Sequence, residues 1–264
     1  MKQPWNYAVC IKTVPAFDEL SPQDYKDGNI DRTKLRMKLN PDDLCALQTA
    51  LDCKQRFGGS ISVLTMGPQS CEKQLREALA LGADRAYLLS DPAFAGADVL
   101  ATAQTLAAAL RQIGGFDLIL CGRRTLDGGT GETPGETAQL LGYGYVSGVT
   151  VLLQAEEQTL TLERQLGDLR QTLQCTLPLV VCVEPQDVQI AMPTLLSQLQ
   201  SRQKPLTILT KDDFASAALA DMGHKGSATA VKTVYTPAAA PHETTHLHHA
   251  QDAADRIWNE VMPQ

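Results

Sequence analysis

Four short apolar runs, at residues 7–11, 60–65, 86–89 and 118–121, alternate with stretches that carry helix signals, and nothing else in the chain restricts its fold as strongly. Each run is close to continuously apolar, so each reads as a strand buried on both faces. Helices must then cover both faces of one sheet, and the gaps supply them. Asn40-Pro41-Asp42-Asp43 opens the first: Asn is a good cap, Pro suits the first helical position, and the two carboxylates complement the helix dipole. It runs to about Arg56, where Gly58-Gly59 stops it. A second helix follows Gly67-Pro68 and continues through Leu81, a third spans 98–113, and a fourth spans about 132–141. The alternation predicts an α/β fold, a doubly wound and mostly parallel sheet with right-handed connections. Residues 13–38 read as a long polar connection with a turn signal at Asp27-Gly28-Asn29.

After Gly142 the pattern changes. Runs at 149–153, 159–165, 169–174 and 179–183 are separated by short turns and read as an antiparallel extension. Residues 184–206 look irregular, with a helix able to start at Leu195. The Ala-, Gly-, Ser-, Thr- and Pro-rich stretch 215–241 reads as an extended arm. A final amphipathic helix at about 250–261 places Ala254, Ile257, Trp258 and Val261 on one face. The expected division is an α/β domain over 1–205 and an arm with a terminal helix over 206–264.

Composition excludes several functions. The formal net charge is −7 and aromatic residues make up only 5%, which argues against nucleic acid as a partner. No apolar run is long enough to cross a bilayer, so membrane insertion is not expected. The N-terminus lacks the apolar core of a signal peptide, and the seven cysteines show no C-x-x-C spacing. They read as core residues of a cytoplasmic protein.

The segment 116–142, FDLILCGRRTLDGGTGETPGETAQLLG, carries the chemistry. A strand, a loop rich in Gly and Thr, and a helix N-terminus in that order aim backbone N–H groups at one point, which suits a phosphate; a plain Gly-rich turn is the bland alternative. Gly128, Gly129 and Gly131 allow close approach of a ligand, and Thr130 and Thr133 can donate hydroxyls. Asp127 would repel an anion and makes more sense as an acceptor or a loop brace. Ligands in such sheets bind outside the carboxyl ends of the strands. Cys10, Ile11 and Lys12 end the first strand, Met66 the second and Gly122–Arg124 the fourth, so all should meet at one edge. Arg123 can serve a ligand or a surface salt bridge, Lys12 a ligand or solvent, and Asn40 a helix cap or a ligand contact. There is no Ser/His/Asp arrangement. His242, His246, His248 and His249 have a spacing that can bind metal, or form an exposed polar helix entry.

Seven segments, taken in order, resemble the β subunit of electron transfer flavoproteins: VCIKTVP (9–15), LNPDDLCAL (39–47), SVLTMGP (62–68), REALALGADRAYLLSD (76–91), FAGADVLATA (94–103), the 117–142 segment and LERQLGDLRQTLQCTLPLVVCV (162–183). The resemblance implies a Rossmann-like, adenine-nucleotide-binding α/β domain that pairs with an α subunit carrying FAD. It implies that Cys10 and Asn40 contact the adenine–ribose part, with Asp42 beside them. Met66 packs on adenine, and the stretch from Asp127 through Glu132 to Thr133 wraps ribose and phosphates. Gly122 and Arg123 border this site. In one branch of the family the β site holds AMP; in the other it holds a second FAD that splits an electron pair from NADH. The present chain looks closer to the FAD branch, although Gly129 and Glu132 replace that branch's usual Asp and Gln. Met192-Pro193-Thr194-Leu195 resembles the loop whose Leu anchors a partner such as an acyl-CoA dehydrogenase, while an ordinary core contact is the other reading of Leu195. A free-standing adenine-nucleotide enzyme and a nucleotide sensor are the competing functions.

Overall fold

The computed structural model describes residues 5–16, 25–26, 29–30, 35–185, 188–230, 232 and 246–261. In chain order the elements through the middle of the protein are β1 (Asn6–Cys10), β2 (Thr13–Pro15), β3 (Tyr25–Lys26), β4 (Asn29–Ile30), β5 (Met37–Leu39), α1 (Pro41–Phe57), β6 (Ser60–Met66), α2 (Glu72–Leu81), β7 (Arg85–Leu89), α3 (Val99–Ile113), β8 (Leu118–Gly122) and α4 (Thr133–Leu141). There follow β9 (Gly144–Ala155), β10 (Thr159–Leu166), β11 (Leu169–Thr176), β12 (Leu179–Val183), α5 (Leu195–Ser201), β13 (Leu206–Leu209), α6 (Ser216–Leu219), α7 (Gly223–Gly226) and α8 (Ala250–Val261). Nine strands form one sheet in the order β11-β10-β9-β12-β8-β1-β6-β7-β13. Its centre is parallel throughout.

Two apolar layers explain why the central runs had to be continuous. Val9, Val63, Leu120 and Val181 meet α1 and α2 through Leu47, Ala50, Leu75 and Leu79 on one face. Their strand neighbours Ala8, Leu64, Ile119 and Val180 meet α3 and α4 through Leu106, Leu110 and Ala138 on the other. Successive strand residues point to opposite faces, so a strand between two helical layers has no solvent side on which to place polar residues.

The α/β class and the mostly parallel sheet are as expected, and three details differ. Residues 179–183 do not extend the antiparallel part. β12 pairs parallel with both β8 and β9, so within this nine-stranded sheet only β9, β10 and β11 are antiparallel neighbours. All five of its residues are buried, the signature of a central strand. Residues 206–209 belong to the sheet, because β13 pairs parallel with β7 at its edge. The stretch from 215 is not simply extended: α6 and α7 fold there, and Met222 is buried against the α3 layer. This segment is stitched to the loop before α3. His224 N donates to Ala95 O at 2.9 Å, Asp98 N to Ser227 Oγ at 2.9 Å, and Thr229 N to Asp98 Oδ2 at 2.8 Å.

The polar connection contains β2 paired with β5 and the short β3–β4 pair; Asp27 and Gly28 of the expected turn lie outside the described residues. Helix α8 forms as expected, with Ile257 and Trp258 exposed. No helix among the described residues is long and apolar enough to cross a membrane.

Candidate functional site

From β1 the chain winds outward through β6 and β7, then returns to place β8 on the other side of β1. The direction reverses between β1 and β8, where Cys10 stands in register with Cys121. A crevice of about 900 Å³ opens at the carboxyl ends of these strands. Such a reversal leaves a gap because the two crossover connections leave to opposite faces of the sheet.

Gly122 ends β8 against the first turn of α1. A Cβ there would fall 2.4 Å from Asp43 Oδ1 and 2.6 Å from Asp43 N, so only glycine lets helix and strand meet this closely. Asp43 itself is 5% exposed. Its Oδ2 accepts from Lys12 N at 2.7 Å, which ties the end of β1 to α1. Burial pushes its carboxyl up to about 7, against the pull of backbone N–H bonds from Lys12 and Gly122 and a bond from Asn40.

Asn40 does not cap α1 with its side chain. It is fully buried, donates through Nδ2 to Arg124 O at 2.8 Å, and accepts from Leu126 N at 3.2 Å. The amide therefore braces the loop after β8. Asp42 assists, since its Oδ2 accepts from Arg124 N at 3.2 Å. Asp127 is the loop brace anticipated: it accepts from Lys12 Nζ at 2.9 Å and from Gly128 N at 2.8 Å. Gly129 and Gly131 have φ of 68° and 71°, the left-handed region that turns this loop sharply into α4.

The crevice brings together Cys10, Lys12, Met66, Gly122 and Arg123 from the strand ends, and Gly128, Thr130, Gly131 and Thr133 from the loop. Asn40, Asp42, Asp127 and Gly129 are not part of that lining, Gly129 being exposed, and Glu132 is exposed outside it. Arg123 is paired with Glu184 at 2.7 Å. Leu195 is 74% exposed at the start of α5, where the Thr194 side chain caps the helix by accepting from Ser197 N; Met192 and Leu196 are also exposed. That apolar patch lies on α5 and the segment just before it; α5 packs on α2 and contributes nothing to the crevice lining.

Three contributors escaped sequence reasoning. Asp43 lines the crevice, and only the phase of the helix separates it from Asp42. Thr137 lines it from one turn inside α4, where it looks like any helix residue. The loop carrying Phe94 and Asp98 forms a wall; the 94–103 segment carries part of the family resemblance, but no residue in it stood out as a ligand contact. All seven cysteines are free thiols, and contact with Cys10 followed by burial raises Cys121. His246, His248 and His249 are exposed and His242 lies outside the described residues; among the described residues no three His, Cys, Asp or Glu converge to hold a metal.

Residues 27–214 match the family model described as the electron transfer flavoprotein domain. The chain belongs to the electron transfer flavoprotein family. It is 35% identical over 260 residues to Protein FixA of Bradyrhizobium diazoefficiens, covering 96% of this chain and 90% of that one. It is 35% identical to electron transfer flavoprotein subunit beta of Thermoanaerobacterium thermosaccharolyticum, covering 88% of each. The caffeyl-CoA reductase-Etf complex subunit CarD of Acetobacterium woodii is 36% identical, over 88% of this chain and 87% of that one. Electron transfer flavoprotein β subunits are thus its relatives along nearly the whole length, and its role is electron transfer.

Proposed function

We propose that this chain is the β subunit of a cytoplasmic heterodimeric electron transfer flavoprotein, and that its crevice holds a second FAD beside the one on the α subunit. The size of the crevice carries this reading. At about 900 Å³ it lies near the top of the range of roughly 300–1,000 Å³ for small-ligand sites, enough for a dinucleotide. The chain's own groups suit the parts of such a ligand. Gly128, Thr130, Gly131 and Thr133 lead to a helix N-terminus that favours an anion. Met66, Phe94 and Leu106 offer an apolar floor for a ring, and Lys12 adds a cation at the rim. When bound, the flavin supplies the electron chemistry, while these residues bind, orient and exclude water.

AMP is the second reading. Lys12 and Arg123 are held by Asp127 and Glu184, which leaves less positive charge for a pyrophosphate. Denaturing extraction of the heterodimer, followed by chromatography, separates the readings. Two FAD and no AMP per heterodimer are expected; one of each would make this a structural AMP site, and no nucleotide beyond the α subunit's FAD would sink both.

In this reading α8 docks on the α subunit through Ile257 and Trp258, and the Leu195 patch meets a redox partner such as an acyl-CoA dehydrogenase. Relatives named for caffeyl-CoA reductase and acryloyl-CoA reductase support that class of partner. Leu195→Ala should slow electron transfer to the partner by about tenfold, since a truncated interface anchor typically costs 1–2 kcal/mol or more. Flavin content should not change. Equal rates for variant and wild type at limiting partner would place the docking surface elsewhere.

A further inference from the structure

One wall of the crevice is the loop between β7 and α3, which lines it through Asp91, Phe94, Gly96 and Asp98. A loop contributes fully to binding only if it is already in place, because ordering it on association subtracts from the affinity. This loop is held from far along the chain, by residues 211–229, none of which lines the crevice.

Asp98 is the centre of the join. Its Oδ1 accepts from Ala101 N at 3.0 Å and caps α3, while Oδ2 accepts from Thr229 N at 2.8 Å and Thr229 Oγ1 at 2.9 Å. Asp98 N donates to Ser227 Oγ, His224 N to Ala95 O, and Lys211 N to Asp91 Oδ2 at 3.2 Å. Phe94 meets Phe214 edge-on at 5.8 Å, and Met222, 2% exposed, fills the same apolar layer. Glycines on both sides let the two backbones touch. Gly96, at φ 71°, would set a Cβ 3.2 Å from His224 Cβ. Gly223, at φ 61°, would drive a Cβ into Ala93 O and set it 3.2 Å from Ala95 O. Residues 215–229 also lie beyond the stretch matched by the family model.

We propose that residues 214–229 are a positioning strap for the crevice: they hold the 91–98 loop where it forms the wall, and so raise nucleotide affinity without touching the nucleotide. The proposal rests on the reading of the crevice as a nucleotide site. Coupling of this kind is reciprocal, so a nucleotide seated against the wall must tighten the strap by the factor that the strap adds to its affinity.

The test uses the full-length heterodimer stripped of nucleotide and titrated with FAD and with AMP. Gly223→Ala pushes the strap off the loop and should weaken binding about tenfold. Gly142→Ala has the same left-handed strain but meets no neighbour, and should bind within about twofold of wild type. Thr229→Val removes one bond to Asp98 and should weaken binding about threefold, whereas Thr229→Ser keeps the hydroxyl and should restore it. Amide exchange at Asp98 and His224 supplies a readout that a passive structural segment would not move: saturating FAD or AMP should slow both in the wild type by about tenfold. Should Gly223→Ala yield no heterodimer, the Thr229 pair and the exchange rates decide. Unchanged affinity in Gly223→Ala, equal losses in Thr229→Val and Thr229→Ser, or exchange indifferent to nucleotide would each overturn the strap while leaving the nucleotide site standing. Failure of the wild type to bind either nucleotide would overturn the site itself, and the proposal with it.

Discussion

Gly122→Ala should cost about 3 kcal/mol of stability or more, with loss of bound nucleotide. The added methyl would fall 2.4 Å from Asp43 Oδ1, 2.5 Å from Asp42 carbonyl carbon and 2.6 Å from Asp43 N. None of these is the free end of a flexible side chain. Asp43 is tied to Lys12 N, and the start of α1 is tied by Asn40 to the loop after β8. Relief requires α1 to lift off the sheet, which opens an apolar layer that includes Leu47, Leu120 and Val181. Urea denaturation measures the loss. Gly142→Ala serves as the control: its φ is 75° but its Cβ would meet nothing within 4 Å, so only backbone strain of about 1 kcal/mol applies. Equal midpoints for the two variants would refute the close seating of α1 on β8.

The second large effect is on pH dependence. Asp43 titrates at about 7 in the folded protein, well above the carboxylate range of an unfolded chain. Between those values the folded state binds the extra proton, so stability falls as pH rises through this window. The contribution is absent below about pH 4 and fully adverse above about pH 7, on the order of 3–4 kcal/mol. Asp43→Asn is neutral at every pH and should flatten the profile. At pH 8 it should be more stable than wild type by about 2 kcal/mol, after roughly 1 kcal/mol is lost with one N–H bond. At pH 4 it should be slightly less stable. Urea midpoints at the two pH values give the answer. A variant destabilised equally at both would mean that the N–H donors, and not burial, govern this carboxyl.

The order of strands and helices was legible because burial on two faces leaves an unmistakable apolar run, and because Asn-Pro and Gly-Gly punctuate α1 and α3. β12 carried the same signal, yet its nearness in sequence to β9, β10 and β11 suggested an antiparallel neighbour; chain proximity is a weak guide where a strand returns to the sheet centre. At the site, strand ends and glycines could be read because backbone geometry places them. The partners of polar side chains could not. Asn40 looked like a cap and became a loop brace, since Arg124 O and Leu126 N are brought to it only by the tertiary fold. Arg123 was open between ligand and salt bridge, and Glu184, sixty-one residues away, decides its pairing.

The place of β12 also governs the order in which the sheet can be made. β9, β10 and β11 reach the central strands only through β12, the last of the four in the chain. Until residues 179–183 arrive from the ribosome, β8 presents an open apolar edge, and the finished hairpins have nothing central to join. Contacts of this kind, closed late and over long separations, slow folding and prolong exposure to other chains. Fragments ending before Leu179 should therefore be aggregation-prone on synthesis, with β8 as the adhesive edge.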